Sequence, residues 1–264
     1  MNLNNDQQKV GLIKMTGLER LDQQLRDFLA DPEDFLAIMS FVMGLHGQAV
    51  IASDKPYALE IDGKKVTPVF TDLSDLETFK GKQASAAQQH WVERKTLEVL
   101  EEVIVKQLSG LVFNLKTGSD KRNSGLFLSS ELISFVNHYT TILNQIMGDS
   151  NLEAEWLDKN YLVPLFVYPN EDGSSDRLFP SLSDQEGRSF VPVFSNMASF
   201  AKWYREDNFG GRFKEAKGVV VAWTLKELKS PVDGENDLAD TLGVVIDPLD
   251  QKHVQIMWQD ILSQ

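Results

Sequence analysis

Apolar residues recur three and four positions apart at Leu18, Leu21, Leu25, Phe28 and Leu29, and this spacing predicts an amphipathic helix. "ADPEDFLAIMSFVMG" predicts a second. Asp31 reads as its N-cap and Pro32 as its first helical residue. Phe35, Leu36, Ile38, Met39, Val42 and Met43 form its apolar stripe, and Gly44 reads as a left-handed stop. The period then falls to two. "QAVIA" reads as a strand. Tyr57, Leu59 and Ile61 alternate with small or polar residues, and Asp62-Gly63 signals a hairpin returning through Val66 to Phe70. Pro68 cannot donate to a ladder, which places it at an edge or bulge. Asp72 caps the next helix, with Leu73, Leu76 and Phe79 on one side.

This pattern is written twice. "VTPVFTDLSDLETFK" at Val66–Lys80 is matched by "FVPVFSNMASFAKWY" at Phe190–Tyr204. Pro192 follows Pro68 by 124 positions (192 − 68). At the same offset Val193-Phe194 matches Val69-Phe70, and Met197, Phe200 and Trp203 match Leu73, Leu76 and Phe79. Ser195-Asn196 replaces Thr71-Asp72 and keeps a capping side chain. "VVAWTLKELKS" then echoes "WVERKTLEVLEEV", with Thr224 and Glu227 at capping-box spacing. "GVVID" echoes "GLVFN" at an offset of 133 (243 − 110), so insertions separate the blocks; "SPVDGENDLAD" reads as one solvated inserted loop. "VQIMWQDI" likewise echoes "LFLSSELI".

A long helix from Glu131 to Met147 takes in the second copy the place of the Leu18 helix. "LEAEWLDK" corresponds to the Asp31 helix and "YLVPLFVYP" to "QAVIA", with "MGDSN" at the joint. A period above 100 residues indicates duplicated domains rather than a solenoid. The expected fold class is therefore α+β: two tandem domains, residues 1–130 and 131–264, each a small sheet packed by helices.

The order P-V-F-[TS], capped helix, T-L-x-x-L and G-[LV]-V-[FI]-[ND] resembles the SseB-like (enhanced serine sensitivity) family across roughly Leu18 to Leu262. The family's last motif closes with Asn-Pro. Here the first copy has Asn114-Leu115 and the second Asp247-Pro248, so each departs by one residue. The resemblance implies a bacterial, cytoplasmic protein and brings no catalytic residues with it.

Composition narrows the function further. The 264 residues carry a net charge of −13, which argues against nucleic-acid or anionic-membrane partners that need clustered cations. Without cysteine, thiolate chemistry and cysteine-held zinc are excluded, and a reducing cytoplasm fits. The polar start "MNLNNDQQKV" does not read as a secretory signal, and no apolar run is long enough for a membrane helix.

Candidate chemistry is sparse. His46, His90, His138 and His253 show no paired metal-ligand spacing. "TGSDKRNSG" (Thr117–Gly125) has no phosphate-loop order and lies between two strands. "DGEND" lacks the calcium-loop pattern. No cofactor or metal is expected, and no catalytic residue is assigned. "KWYREDNFGGRF" stands apart: Trp203 takes the core place of Phe79, while Tyr204, Arg205, Phe209 and Arg212 combine aromatic and guanidinium groups around a Gly-Gly pair, as contact surfaces do. The expected function is a non-catalytic interaction or regulatory module whose partner is another protein. The alternative is a hydrolase-type enzyme using Asp or Glu in a cleft between the repeats.

Overall fold

The structure, a computed structural model, describes residues 15–116, 122–148, 156–171, 173 and 175–262. It is an α+β protein that divides into two compact units, Met1–Pro32 with Ser40–Ile133 and Glu33–Met39 with Ser134–Gln264. The first unit runs α1 (Gly17–Ala30), α2 (Phe35–Gly47), β1 (Ala49–Ser53), β2 (Leu59–Ile61), β3 (Lys64–Val69), α3 (Leu73–Lys82), α4 (Ala84–Ala87), β4 (Trp91–Lys95), α5 (Thr96–Val105), β5 (Gly110–Phe113) and β6 (Gly125–Leu128). The division falls inside α2 and inside α6 (Ser129–Gly148). The second unit continues with β7 (Asn160–Pro169), β8 (Ser175–Leu178), β9 (Leu182–Ser183), β10 (Ser189–Val193), α7 (Met197–Arg205), a π-helical turn (Asp207–Gly211) and α8 (Arg212–Glu215). It closes with β11 (Val219–Thr224), α9 (Leu225–Lys229), β12 (Glu235–Asp237), β13 (Gly243–Ile246), β14 (Val254–Met257) and α10 (Trp258–Leu262).

The repeated phrases occupy repeated registers. In the first unit the sheet order is β2-β3-β5-β6, in the second β9-β10-β13-β14. Pro68 sits opposite Val112 in a parallel pair, and Pro192 opposite Val245. The outer strand stops pairing at Val66 in one unit and at Phe190 in the other, two residues before each proline. The missing proline N–H therefore leaves no gap in that ladder. Each sheet is also joined at one antiparallel bridge to a separate ladder, Ile51 to Phe70 and Leu162 to Phe194. Gly110 and Gly243 are required for the same reason: a Cβ at either would collide with the neighbouring strand's backbone at Phe127 or Ile256.

Local chemistry sets the element ends. Asp62 and Gly63 both take positive φ, forming the two-residue turn between β2 and β3. Asp72 accepts from the Ser74 and Asp75 amides, and Asn196 from Ser199. Thr224 and Glu227 form a capping box, as Thr16 and Glu19 do ahead of α1. Four expectations are corrected. Asp31 closes α1 rather than opening α2, because the following proline holds it extended (φ −145°, ψ 89°). Asp34 is the cap instead, accepting from the Ala37 amide at 2.9 Å. Gly44 lies inside α2 against Leu21 and Gln24, and the helix runs on to Gly47. Met43 and Leu73 are exposed, while Phe41 and Leu45 are buried. Finally, "SPVDGENDLAD" is not all loop, since β12 pairs with β8 within it. Of "LEAEWLDK", residues 152–155 lie outside the described residues, as do 117–121 of "TGSDKRNSG" and 149–151 of "MGDSN"; Trp156–Asp158 form a turn.

The residue just after β5 or β13 ties each unit together. Asn114 (φ 45°) and Asp247 (φ 51°) are both left-handed, a conformation these side chains tolerate better than most. Each backbone N–H donates to the end of the parallel strand, at Val69 or Val193. Each side chain accepts the amide two residues further along that strand's chain, from Thr71 at 2.8 Å or Ser195 at 2.9 Å. In the second unit Asp247 supplies the carboxylate itself and also accepts from the Ser195 hydroxyl. In the first unit the carboxylate comes from α1. Asp22 accepts from the Thr71 hydroxyl and the Asn123 amide, both at 2.6 Å, and pairs with Arg26. Burial raises the Asp22 carboxyl, but these hydrogen bonds and the guanidinium outweigh it and hold it below the usual 3.8. A depressed carboxyl contributes stability above its unfolded-state value, and that contribution is lost as pH falls through the folded value. Acid titration of the first unit should therefore lose stability below about pH 3.8, and Asp22→Asn should flatten that limb. Hydrogen exchange of β3 and β5 against pH measures it, and an unchanged acid limb in the variant would refute the assignment.

Candidate functional site

The second unit's sheet has two faces. Val191, Val193, Val244 and Ile256 join a core with Tyr161, Val163, Leu225 and Trp258. The alternate residues, Leu182, Phe190, Val245 and Gln255, share the other face, as the pairing of β9, β10, β13 and β14 requires. That face floors a cleft of about 630 Å³. Phe209 and Leu249 also line it. Phe209 is half-buried, and Leu249 is 42% exposed.

Phe209 is held by the aromatic turn. Phe200, Trp203 and Tyr204 project from α7 into a cluster with Phe194 and Phe213. The chain then makes the π-helical turn, an element frequent at functional sites. Gly210 is needed there, because a Cβ would collide with the backbone of Tyr204.

The four residues singled out in the sequence separate. Phe209 alone lines the cleft. Arg205 and Arg212 are exposed and make no ion pair among the described residues. Tyr204 is corrected: only 2% exposed, it is a core residue. Its hydroxyl accepts from the Phe35 amide at 3.1 Å, and the Lys214 ammonium lies 4.9 Å from its ring centre. Phe213 is core too. The signal for Tyr204 was present, since Phe200, Trp203 and Tyr204 follow helical core spacing. Leu182 and Leu249 were missed because a two-residue strand and a strand-end turn carry no periodicity.

The rim is polar and hydrogen-bonded within itself. Asp184 accepts from the amides of Glu186 and Arg188, and from the Arg188 guanidinium at 2.7 Å. Burial raises its carboxyl, but these bonds prevail and hold it below 3.8. Nearby, Asp250 is depressed by the Lys202 ammonium and the Ser199 hydroxyl. Both are carboxylates committed to donors, poorly suited to deliver a proton near neutral pH. His253 meets the Asp250 carbonyl at 3.4 Å and no serine hydroxyl among the described residues. Among the described residues, no cluster of three or more metal-ligating side chains occurs, and no helix is long and apolar enough to cross a membrane. The arrangement offers an apolar floor, an aromatic side and a hydrogen-bonded polar rim, which can hold an apolar side chain.

No protein-family model matches the chain, and no curated protein matches it. Among solved structures, it is similar to Tic22 of Anabaena, described as a protein of protein transport, at 10% identity. That match covers 87% of this chain and 93% of the other, with a TM-score of 0.20. It is also similar to Tic22 from Plasmodium falciparum at 12% identity, over 71% and 84% of the two chains, with a TM-score of 0.19.

Proposed function

We propose that this chain is a non-catalytic protein-interaction module of the SseB-like kind, working in the bacterial cytoplasm, and that its partner places an apolar side chain in the second unit's cleft. The observation that carries this reading is Phe209. It is only half-buried while the aromatic residues around it on α7 and α8 are core, and it lines an open cleft with Leu249. A partly exposed aromatic group beside an apolar floor has the character of an interface anchor. The ionised, hydrogen-bonded rim carboxylates support binding over acid–base chemistry.

The test is capture from the lysate of the protein's own cell, with the full chain as bait. Phe209→Ala with Leu249→Ala is expected to lose a specific partner at least tenfold. Its stability should fall by only about 1 to 2 kcal/mol, since neither side chain is fully buried. A charge variant confined to the first unit, Glu60→Gln, Glu93→Gln, Glu101→Gln, should retain the partner. Equal capture by the wild type and the cleft variant would end the proposal.

A further inference from the structure

We propose that the open face of the β7-β8-β12 strands in the second unit docks an extended, lysine- or arginine-bearing segment of a partner protein. This surface is distinct from the cleft, and the two tests can fail separately.

Strand register builds the face. Tyr168 lies opposite Asp176, and Asp176 opposite Glu235; two residues along, Leu178 lies opposite Asp237. All five side chains therefore share one side of the sheet. At the β11 end the same side is closed, with Val220 and Ala222 buried and the Phe166 ring 5.4 Å from Phe213. Beyond Phe166 it opens into a groove of about 510 Å³, where Tyr168 is 52% and Leu178 38% exposed.

Charge selects the occupant. Asp176, Glu235 and Asp237 make no ion pair among the described residues. Asp176 accepts from the Asn170 side chain and Asp237 from the Ala239 amide, both neutral donors. The nearest cation in sequence, Arg177, belongs to the opposite side, where it bonds to the Asp233 carbonyl and lies over Trp223. Asp176 and Glu235 are directly opposed like charges, an unfavourable cross-strand pair unless a cation joins them. A lysine or arginine laid across this face would set its methylenes on Tyr168 and Leu178 and its charge among the three carboxylates. The Tyr168 ring adds a cation–π surface. β12 also borders its sheet, so an extended segment meets no further strand there.

The probe is a fluorescein-labelled octapeptide alternating arginine and threonine, titrated by anisotropy into the full chain at physiological salt. Asp176→Asn with Glu235→Gln and Asp237→Asn should weaken binding at least tenfold. Tyr168→Ala, which changes no charge, should weaken it about fivefold. Glu60→Gln with Glu93→Gln and Glu101→Gln removes the same charge elsewhere and should change it less than twofold. If that control loses as much as the groove variant, the peptide is drawn only by the net charge of −13, and the proposal is overturned. Equal binding of a glutamate–threonine octapeptide would overturn it as well. Should the triple variant fail to fold, Tyr168→Ala decides alone, and wild-type affinity in that variant rejects the site.

Discussion

Replacing Asn114 with alanine should cost the first unit about 4 kcal/mol, the sum of an orphaned buried amide and a strained backbone. Asn114 is 0% exposed, has φ 45°, and its side chain accepts from the Thr71 amide while donating to the Thr71 hydroxyl and the Asn123 carbonyl. Alanine removes these bonds together with the longer one to Asp22 at 3.4 Å, and it tolerates the left-handed region less well than asparagine. Urea unfolding of the full chain, with hydrogen exchange reporting β3 and β5, measures the loss. A cost below 1 kcal/mol would show that the network contributes little.

Asn114→Asp is the sharper comparison, because aspartate stands at the equivalent place in the second unit. It keeps the acceptor for Thr71 but sets a carboxylate where the asparagine amide nitrogen lies 3.4 Å from Asp22. Two carboxylates that close cannot both ionise freely. The variant should therefore be costlier at pH 7 than at pH 4, and Asp22→Asn should rescue it at pH 7. Without rescue, the two units would not be exchanging one carboxylate between two positions.

These residues also show what was legible in the sequence. The Asp62-Gly63 hairpin, the proline register and the caps at Asp72, Asn196 and Thr224 are local, since each depends on a few neighbouring residues, and these could be read directly; the ends of α2 could not. The paired glycines of "GLVF" and "GVVI" were visible as a repeat, although their cause, a neighbouring backbone, was not. Asp22 could not be assigned its role, because Asn114 lies 92 positions away and nothing in an exposed-looking helix residue marks that contact. β12 was hidden because an acidic three-residue strand has no apolar alternation; its partner β8 alone makes it a strand. Asp34 was obscured by a stronger local signal, Asp31-Pro32, whose proline acts backwards on Asp31 rather than forwards into the helix. Of the candidate site, Phe209 was within reach and Tyr204 was misread. One helical stripe reached one residue further than the contact-surface reading allowed.

Trp203→Ala should be the most damaging change in the second unit, at about 4 kcal/mol. The indole is 1% exposed and lies 5.5 Å from the Phe194 ring and 5.4 Å from Phe213. Trp203→Phe should behave differently. The indole Nε1 is buried with no acceptor among the described residues, so phenylalanine removes an unsatisfied donor along with part of the volume. The two effects offset, leaving a net cost of about 1 kcal/mol or less. Phenylalanine is also what the first unit carries at this place, where Phe79 packs 5.2 Å from Phe70. The pair of variants bears on function too, because the cluster supports the turn that presents Phe209. Trp203→Ala should release Phe213, loosen the π-helical turn and abolish capture of the cleft's partner, whereas Trp203→Phe should keep both stability and capture. Denaturant unfolding and the capture assay on the same samples provide the comparison. If Trp203→Phe proves as costly as Trp203→Ala, the indole N–H has an acceptor, such as a buried water, and the equivalence of Trp203 with Phe79 extends only to position, not to chemistry.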